Sequence, residues 1–407
     1  MNSRPSLWVV GTFDTKADEL LYMAGLIRAA GVPVLTIDIS TRGKHPMADV
    51  TANEVADCHE LGRDYVLAGS DRGLAVTAMG QALRQLVRTR YKEGGICGML
   101  GIGGSGGTSM IAPAMHELPF GMPKLLVTTL ASGDTSAFVG SADLCVINPV
   151  TDLAGLNRLS RNILANAAHA IVGMLTHEVP APANDDKAAI GLSMFGVTTP
   201  CVQSVVHMLE DSYDCQVFHA NGAGGKTMEA LAKAGMLSAI IDITTTEVGQ
   251  HLAGGVCDAG PGRLAAAAEL GIPWVGSLGA LDMINWGAPP TIPEQYKERL
   301  FHVHNPQVTL MRSTAAELKR AGLRIAEQLN RSPGVVHLFL PINGLSALDA
   351  PGQPFHDPEA NQALFQALEQ TFEATPTHRI HKVQLHINDP AFAQLVASTF
   401  RSVVRRS

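Results

Sequence analysis

Ile96-Cys97-Gly98-Met99-Leu100-Gly101-Ile102, continuing as Gly103-Gly104-Ser105-Gly106-Gly107-Thr108, is the stretch that decides the fold of this chain. An apolar run of strand length turns through glycines into a helix-like segment. Such a turn points backbone N–H groups and the positive end of a helix dipole at one spot, which is how proteins hold phosphates and other anions. The pattern occurs twice more. Leu7-Trp8-Val9-Val10 runs into Gly11-Thr12-Phe13-Asp14-Thr15-Lys16, and Gln216-Val217-Phe218-His219-Ala220 runs into Asn221-Gly222-Ala223-Gly224-Gly225-Lys226-Thr227. The expected ligand is a phosphorylated or carboxylated small molecule.

Outward from these turns, strand and helix signals alternate. Strands are expected at 7–10, 34–39, 96–102, 125–129 and 144–147. Helices are expected from Thr15, whose spacing to Asp18 is that of a capping box, and over 73–90 and 157–176. Continuous apolar strands between helices mean a parallel sheet covered on both faces. Pro180-Ala181-Pro182-Ala183-Asn184-Asp185-Asp186-Lys187 reads as a linker, after which the pattern restarts with Ala188–Phe195. Later strands are expected at 215–219, 239–243, 274–275, 300–303, 335–340 and 382–387, with helices at 312–330, 357–372 and 390–404. The fold class is therefore α/β: two Rossmann-like doubly wound domains, 1–180 and 188–407, with a ligand cleft between them.

Composition supports this and excludes other classes. At 407 residues the chain exceeds one ordinary core, and 46% hydrophobic against 16% charged residues suits a well-buried α/β protein. A formal charge of -7 leaves no basic surface for bulk nucleic acid; Arg401, Arg405 and Arg406 read as a solvated helix end. Six scattered cysteines without a C-x-x-C pair suggest reduced core residues and a cytoplasmic protein. Residues 94–115 carry no charge over a bilayer-spanning length, but their eight glycines argue against a membrane helix. A homo-oligomer is expected.

Four stretches carry a resemblance: Leu7–Lys16, the Gly101–Thr108 loop, Thr128-Thr129-Leu130-Ala131-Ser132-Gly133-Asp134 and the block Asp242–Gly287. Within the last, Asp242-Ile243-Thr244-Thr245-Thr246-Glu247 and Gly279-Ala280-Leu281-Asp282-Met283-Ile284-Asn285 are the most specific. Together they resemble the ATP-binding-domain family of the tomato mosaic virus resistance protein, over essentially the whole chain. The resemblance implies two Rossmann-like subdomains and nucleotide binding, with ATP as the cofactor. It supplies no reaction. Apart from the resemblance, carboxylates in Gly/Thr/Ser-rich turns are candidates for binding a divalent metal such as Mg²⁺.

The candidate anion-binding residues are Gly11, Thr12, Asp14 and Thr15; Gly103, Gly104, Ser105, Gly106, Gly107 and Thr108; Gly222, Gly224, Gly225, Lys226 and Thr227; and Thr244, Thr245 and Thr246. A P-loop reading of Ala220–Thr227 needs a Mg²⁺-supporting acid, for which Asp242 is placed. Gly103-Gly104-Ser105-Gly106-Gly107 also matches a nucleophile elbow with Ser105 as nucleophile. His302 and His304 share a strand face, and His219 and His386 lie near strand ends. Among the acids, Asp14 is expected to cap a helix, and Glu247 and Asp134 to act in acid–base chemistry, with His304 as a proton carrier. A hydrolase or lyase for a small oxo- or hydroxy-carboxylate, and a non-catalytic nucleotide-binding module, are the alternative functions. The second domain is expected to supply most of the chemistry, its 244–247, 276–282 and 302–305 loops meeting beside the Gly222 turn.

Overall fold

The computed structural model describes residues 4–42, 47–67, 71–178 and 187–404. The chain divides into two compact units, Met1–Ala181 and Pro182–Ser407. Most of the expected linker, 180–186, and Arg405 and Arg406 lie outside the described residues.

In unit 1 the elements are β1 (Ser6–Gly11), α1 (Phe13–Ala29), β2 (Val34–Asp38), α2 (Ala52–Ala56), α3 (Gly62–Leu67), α4 (Arg72–Lys92), β3 (Ile96–Gly103), α5 (Ser105–Met115), β4 (Lys124–Thr128), α6 (Ser136–Val139), β5 (Cys145–Ile147) and α7 (Arg158–Thr176). The strands pair in parallel in the order β2-β1-β3-β4-β5. Side chains alternate across the sheet. Trp8 and Val10 pack with α4 and α5, while Leu7 and Val9 pack with α1 and α7. Both faces of β1 are thus buried, which explains why its sequence is apolar without alternation. Residues 94–115 form β3 and α5, and among the described residues no helix is long and apolar enough to cross a membrane.

Unit 2 contains β6 (Ala189–Met194), α8 (Thr199–Leu209), β7 (Asp214–His219), α9 (Ala223–Lys233), β8 (Ala239–Asp242), α10 (Thr246–Ala253), α11 (Ala265–Leu270), β9 (Trp274–Gly276), β10 (Met283–Trp286), β11 (Phe301–Asn305), β12 (Val308–Arg312), α12 (Ala315–Asn330), β13 (Val336–Pro341), α13 (Pro358–Thr371), β14 (His378–Val383) and α14 (Pro390–Val404). Its main sheet is again parallel, β14-β13-β9-β8-β6-β7, with α8 and α14 on the face of Ile190 and Leu192. Numbered within each unit, both sheets share the doubly wound order 2-1-3-4-5, the second extended by one strand.

Three expectations change. The segment near 300 joins no parallel sheet: β10, β12 and β11 form a separate antiparallel one, and β12 occupies the start of the expected 312–330 helix. β14 lies four residues earlier than expected, because it is an edge strand of mixed polarity, His-Arg-Ile-His-Lys-Val. The first helix opens at Phe13 with Thr12 as its N-cap residue, so Asp14 sits inside the first turn and not at the cap position.

Candidate ligand site

The order 2-1-3-4-5 creates a switch point between β1 and β3. From these neighbouring strands the chain departs to opposite faces, α1 to one and α5 to the other, and open α/β sheets bind ligands in the crevice this leaves beyond the carboxyl ends. Gly103 is what lets α5 start there. A Cβ at Gly103 would stand 2.8 Å from the Cα of Gly107, so any side chain would push the first turn of α5 off β3. Among the described residues no acceptor takes the amides of Ser105, Gly106 or Gly107, whereas the Thr108 amide donates to the Gly104 carbonyl at 2.9 Å. A Cβ added at Gly106 would meet open space, and one at Gly104 would only touch Thr129 Oγ1 at 3.8 Å. Thr108 is buried, its hydroxyl 2.6 Å from that of Thr128, and so ties α5 to β4. Ser105 is exposed, with no base hydrogen-bonded to it among the described residues.

The α1 side of the crevice is built differently. Asp38 Oδ1 accepts the Phe13 amide at 3.1 Å and Ser40 Oγ accepts the Asp14 amide at 3.0 Å, so the protein itself satisfies these donors. Burial pushes the Asp14 carboxyl above its ordinary value, against a lowering hydrogen bond from Ser40. The Thr12 and Thr15 hydroxyls lie 2.8 Å apart. Lys16 is non-helical inside α1 (φ -137, ψ 25), and its Nζ donates to Leu153 O at 2.9 Å. Gly155 N donates to Glu19 Oε1 at 2.7 Å, so the loop after β5 is tied to α1 at two places. Within that loop Val150 has φ 66, a left-handed conformation that β-branched residues rarely adopt, with its side chain 69% exposed. Asp134 is exposed and accepts the Ser136 amide at 2.9 Å; hydrogen bonds from the Ser136 side chain and then from this amide hold its carboxyl below the ordinary value. In the structure it starts α6.

In unit 2 the glycine turn is already filled. Glu247 Oε1 accepts the amides of Gly222 at 2.7 Å and Gly225 at 3.1 Å, and Oε2 accepts Arg263 Nε at 2.7 Å. Glu247 is 0% exposed and Arg263 3%. The rest of the guanidinium clasps Asp242, with Nη1 to Oδ2 at 2.7 Å and Nη2 to Oδ1 at 2.6 Å, and Nη1 reaches Glu229 at 3.3 Å. Asp242 therefore faces an arginine where a P-loop would need it to support Mg²⁺. Around it, Ser193 Oγ donates to Asp242 and accepts the Thr244 amide, while the Thr198 and Thr244 hydroxyls meet at 2.8 Å across the switch point of this unit. Thr245 donates to Ser277 O at 3.0 Å, Gln250 donates to Thr246 Oγ1 at 3.3 Å, and all three threonines are buried. Gly224 sits where a Cβ would lie 1.9 Å from His219 O. Lys226 is exposed, and Thr227 bonds back to Ala223 O.

The 244–247 loop thus touches both the 276–282 loop, through Thr245 and Ser277, and the Gly222 turn, through Glu247, and the cation beside it is Arg263 and not Lys226. His304 is exposed on β11, and no hydrogen bond joins it to Glu247 among the described residues. Arg263 escaped the sequence reading because Pro261-Gly262-Arg263 looks like a surface turn. The signal was a lone arginine ahead of Leu264-Ala265-Ala266-Ala267-Ala268, a run that must be buried. Among the described residues, no three His, Cys, Asp or Glu side chains form a metal cage.

A second buried polar cluster lies over β9 and β13. Asp282 Oδ2 accepts Ser346 Oγ at 2.7 Å, and among the described residues its Oδ1 has no hydrogen-bond partner. Asp349 accepts from Leu345 N and Asn361 Nδ2. Arg312 spends its donors on carbonyl oxygens and on Asn361. Burial and the Asp349 charge push the Asp282 carboxyl up to about 7.

Comparison with known families matches residues 5–180 to the N-terminal domain of the uncharacterised protein family UPF0261 and residues 187–404 to its C-terminal domain. The chain belongs to the UPF0261 family. A UPF0261 protein of Mesorhizobium japonicum is 50% identical over 96% of this chain and 98% of its own length. One from Clostridium tetani is 40% identical over 98% of both. The ToMV resistance protein Tm-1(GCR237) of Solanum lycopersicum is 38% identical across 100% of this chain, which spans 57% of that protein. Among solved structures, UDP-N-acetylglucosamine 2-epimerase from Rickettsia bellii aligns over 99% of this chain and 96% of its own, with 10% identity and a TM-score of 0.23, too weak a likeness to bear on function. The two UPF0261 domains coincide with the two units described above.

Proposed function

We propose that this UPF0261 protein binds a phosphorylated small molecule, most simply ATP, at the switch point of unit 1. One observation carries the reading. The amides of Ser105, Gly106 and Gly107 open α5 at the carboxyl edge of a parallel sheet and have no acceptor among the described residues. Elsewhere in the chain, the matching donors of α1 and of the Gly222 turn are taken up by Asp38, Ser40 and Glu247. A phosphate oxygen has the charge and the acceptor capacity that the α5 turn lacks. Thr12 and Ser105 add hydroxyls, and Lys16 adds a cation on the α1 side. The resemblance to an ATP-binding-domain family points the same way.

Titration calorimetry with ATP, ADP, NAD and sugar phosphates tests the reading. Binding by one of them is expected, and Gly106→Ala, whose new methyl meets no protein atom within 4 Å, should abolish it without unfolding the chain. Failure of all of these ligands to bind at millimolar concentration would refute the proposal.

A further inference from the structure

We propose that the Gly222–Gly225 turn and Arg263 form a carboxylate receptor whose ligand, Glu247, is built into the chain. The site has what a receptor for a small monocarboxylate needs: two backbone amides on one oxygen, a guanidinium N–H on the other, and no water contact. Gly222 and Gly225 supply the first pair at 2.7 and 3.1 Å, and Arg263 Nε supplies the third at 2.7 Å. Arg263 is fixed independently of Glu247, because Asp242 clasps both of its Nη atoms and Glu229 approaches Nη1. Glu229 in turn is anchored by the Leu264 and Ala266 amides, each at 2.6 Å. The receptor therefore persists when its occupant is shortened. Glycine at 225 is required by the occupant itself, since a Cβ there would lie 2.0 Å from Glu247 Oε2.

Glu247→Ala removes a CH₂–COO⁻ fragment and keeps Cβ, so the missing piece is acetate. The vacated site should accept free acetate, with two N–H groups and one guanidinium N–H waiting for it. Unit 2 of the native chain, already occupied, takes up no such anion. This second statement rests on the function proposed above: if unit 1 binds ATP, the chain binds one equivalent.

The experiment is thermal unfolding of the full chain at pH 7 with acetate, and with acetamide and chloride as controls. Glu247→Ala should melt well below the native protein, and its melting temperature should climb with the logarithm of acetate concentration above the dissociation constant. Acetamide and chloride should not restore it, and the native protein should stay flat. A folded Glu247→Ala protein that ignores acetate would overturn the proposal. If that variant does not fold, Glu247→Gln decides. It keeps the volume but turns an NH₂ or a neutral oxygen toward donors, so it should melt far lower than the native chain; an unchanged melting temperature would overturn the proposal. Neither readout depends on unit 1. A failure to bind ATP therefore removes the proposed function and leaves this inference standing, and calorimetry giving two ATP per native chain would refute the single-site statement alone.

Discussion

Glu247 shows why a polar turn in sequence is an ambiguous sign at the scale of the residue. Thr-Thr-Thr-Glu after a strand reads as a catalytic or ligand-binding turn, and these residues do carry a dense hydrogen-bond network. What decides their state is Arg263, a residue 16 positions away whose importance appears only when the chain folds. Removing Glu247 leaves the buried Gly222 and Gly225 amides and Arg263 Nε without their acceptor, and leaving such buried donors unsatisfied costs about 1–3 kcal/mol for each group. Glu247→Ala should lose that much in urea unfolding, and Gly225→Ala should be comparably damaging through the 2.0 Å approach to Glu247. Asp282 makes an opposite prediction with pH. Its carboxyl sits near 7 in the folded chain against an ordinary value of 3.8, so the folded state keeps a proton that the unfolded state has lost. The stability this group contributes is full below pH 3.8 and disappears as pH rises toward 7, at up to about 1.4 kcal/mol per pH unit. Asp282→Asn, which cannot ionise, should flatten that part of the stability profile measured by urea titration from pH 4 to 8.

For whole elements, the sequence was most legible where burial is two-sided. β1, β3 and β8 are continuous apolar runs and were placed to within a residue or two. The antiparallel sheet was not foreseen. Met283-Ile284-Asn285-Trp286 and Val308-Thr309-Leu310-Met311-Arg312 are short, and periodicity alone does not separate a short buried strand from the edge of a helix. The glycines of β3 and α5 were legible as a turn, but their separate roles were not. Gly103 admits α5 against the sheet, with 2.8 Å to Gly107 Cα, while Gly106 faces open space. Two substitutions separate these roles. Gly103→Ala should lower both stability and ligand affinity, because the whole first turn of α5 must move. Gly106→Ala should abolish binding and leave stability unchanged, and differential scanning beside calorimetry reads both. At the head of α7, Asn157 caps the Leu159 and Ser160 amides at 2.9 Å each, so Asn157→Ala should cost about 1 kcal/mol by urea unfolding.

Across the whole molecule, each unit has its own sheet and its own buried clusters, which for unit 1 lie on both faces. A domain of this size buries about 70% of the surface its unfolded chain exposes, enough to fold unaided. A chain ending at residue 178 should therefore give a cooperative melt and keep the ATP affinity of the full protein; a protein that is folded but no longer binds would show that unit 1 alone is not the site. The two units also differ in where their anion comes from. One receives it in its own sequence with every copy translated, so its stability needs no ligand from the surroundings. The other depends on supply. Of two melting transitions, only that of unit 1 should rise with ATP, and a protease meeting the chain without ATP should cut unit 1 first. How long a molecule lasts would then follow the concentration of a metabolite, with half of the chain serving as a fixed reference.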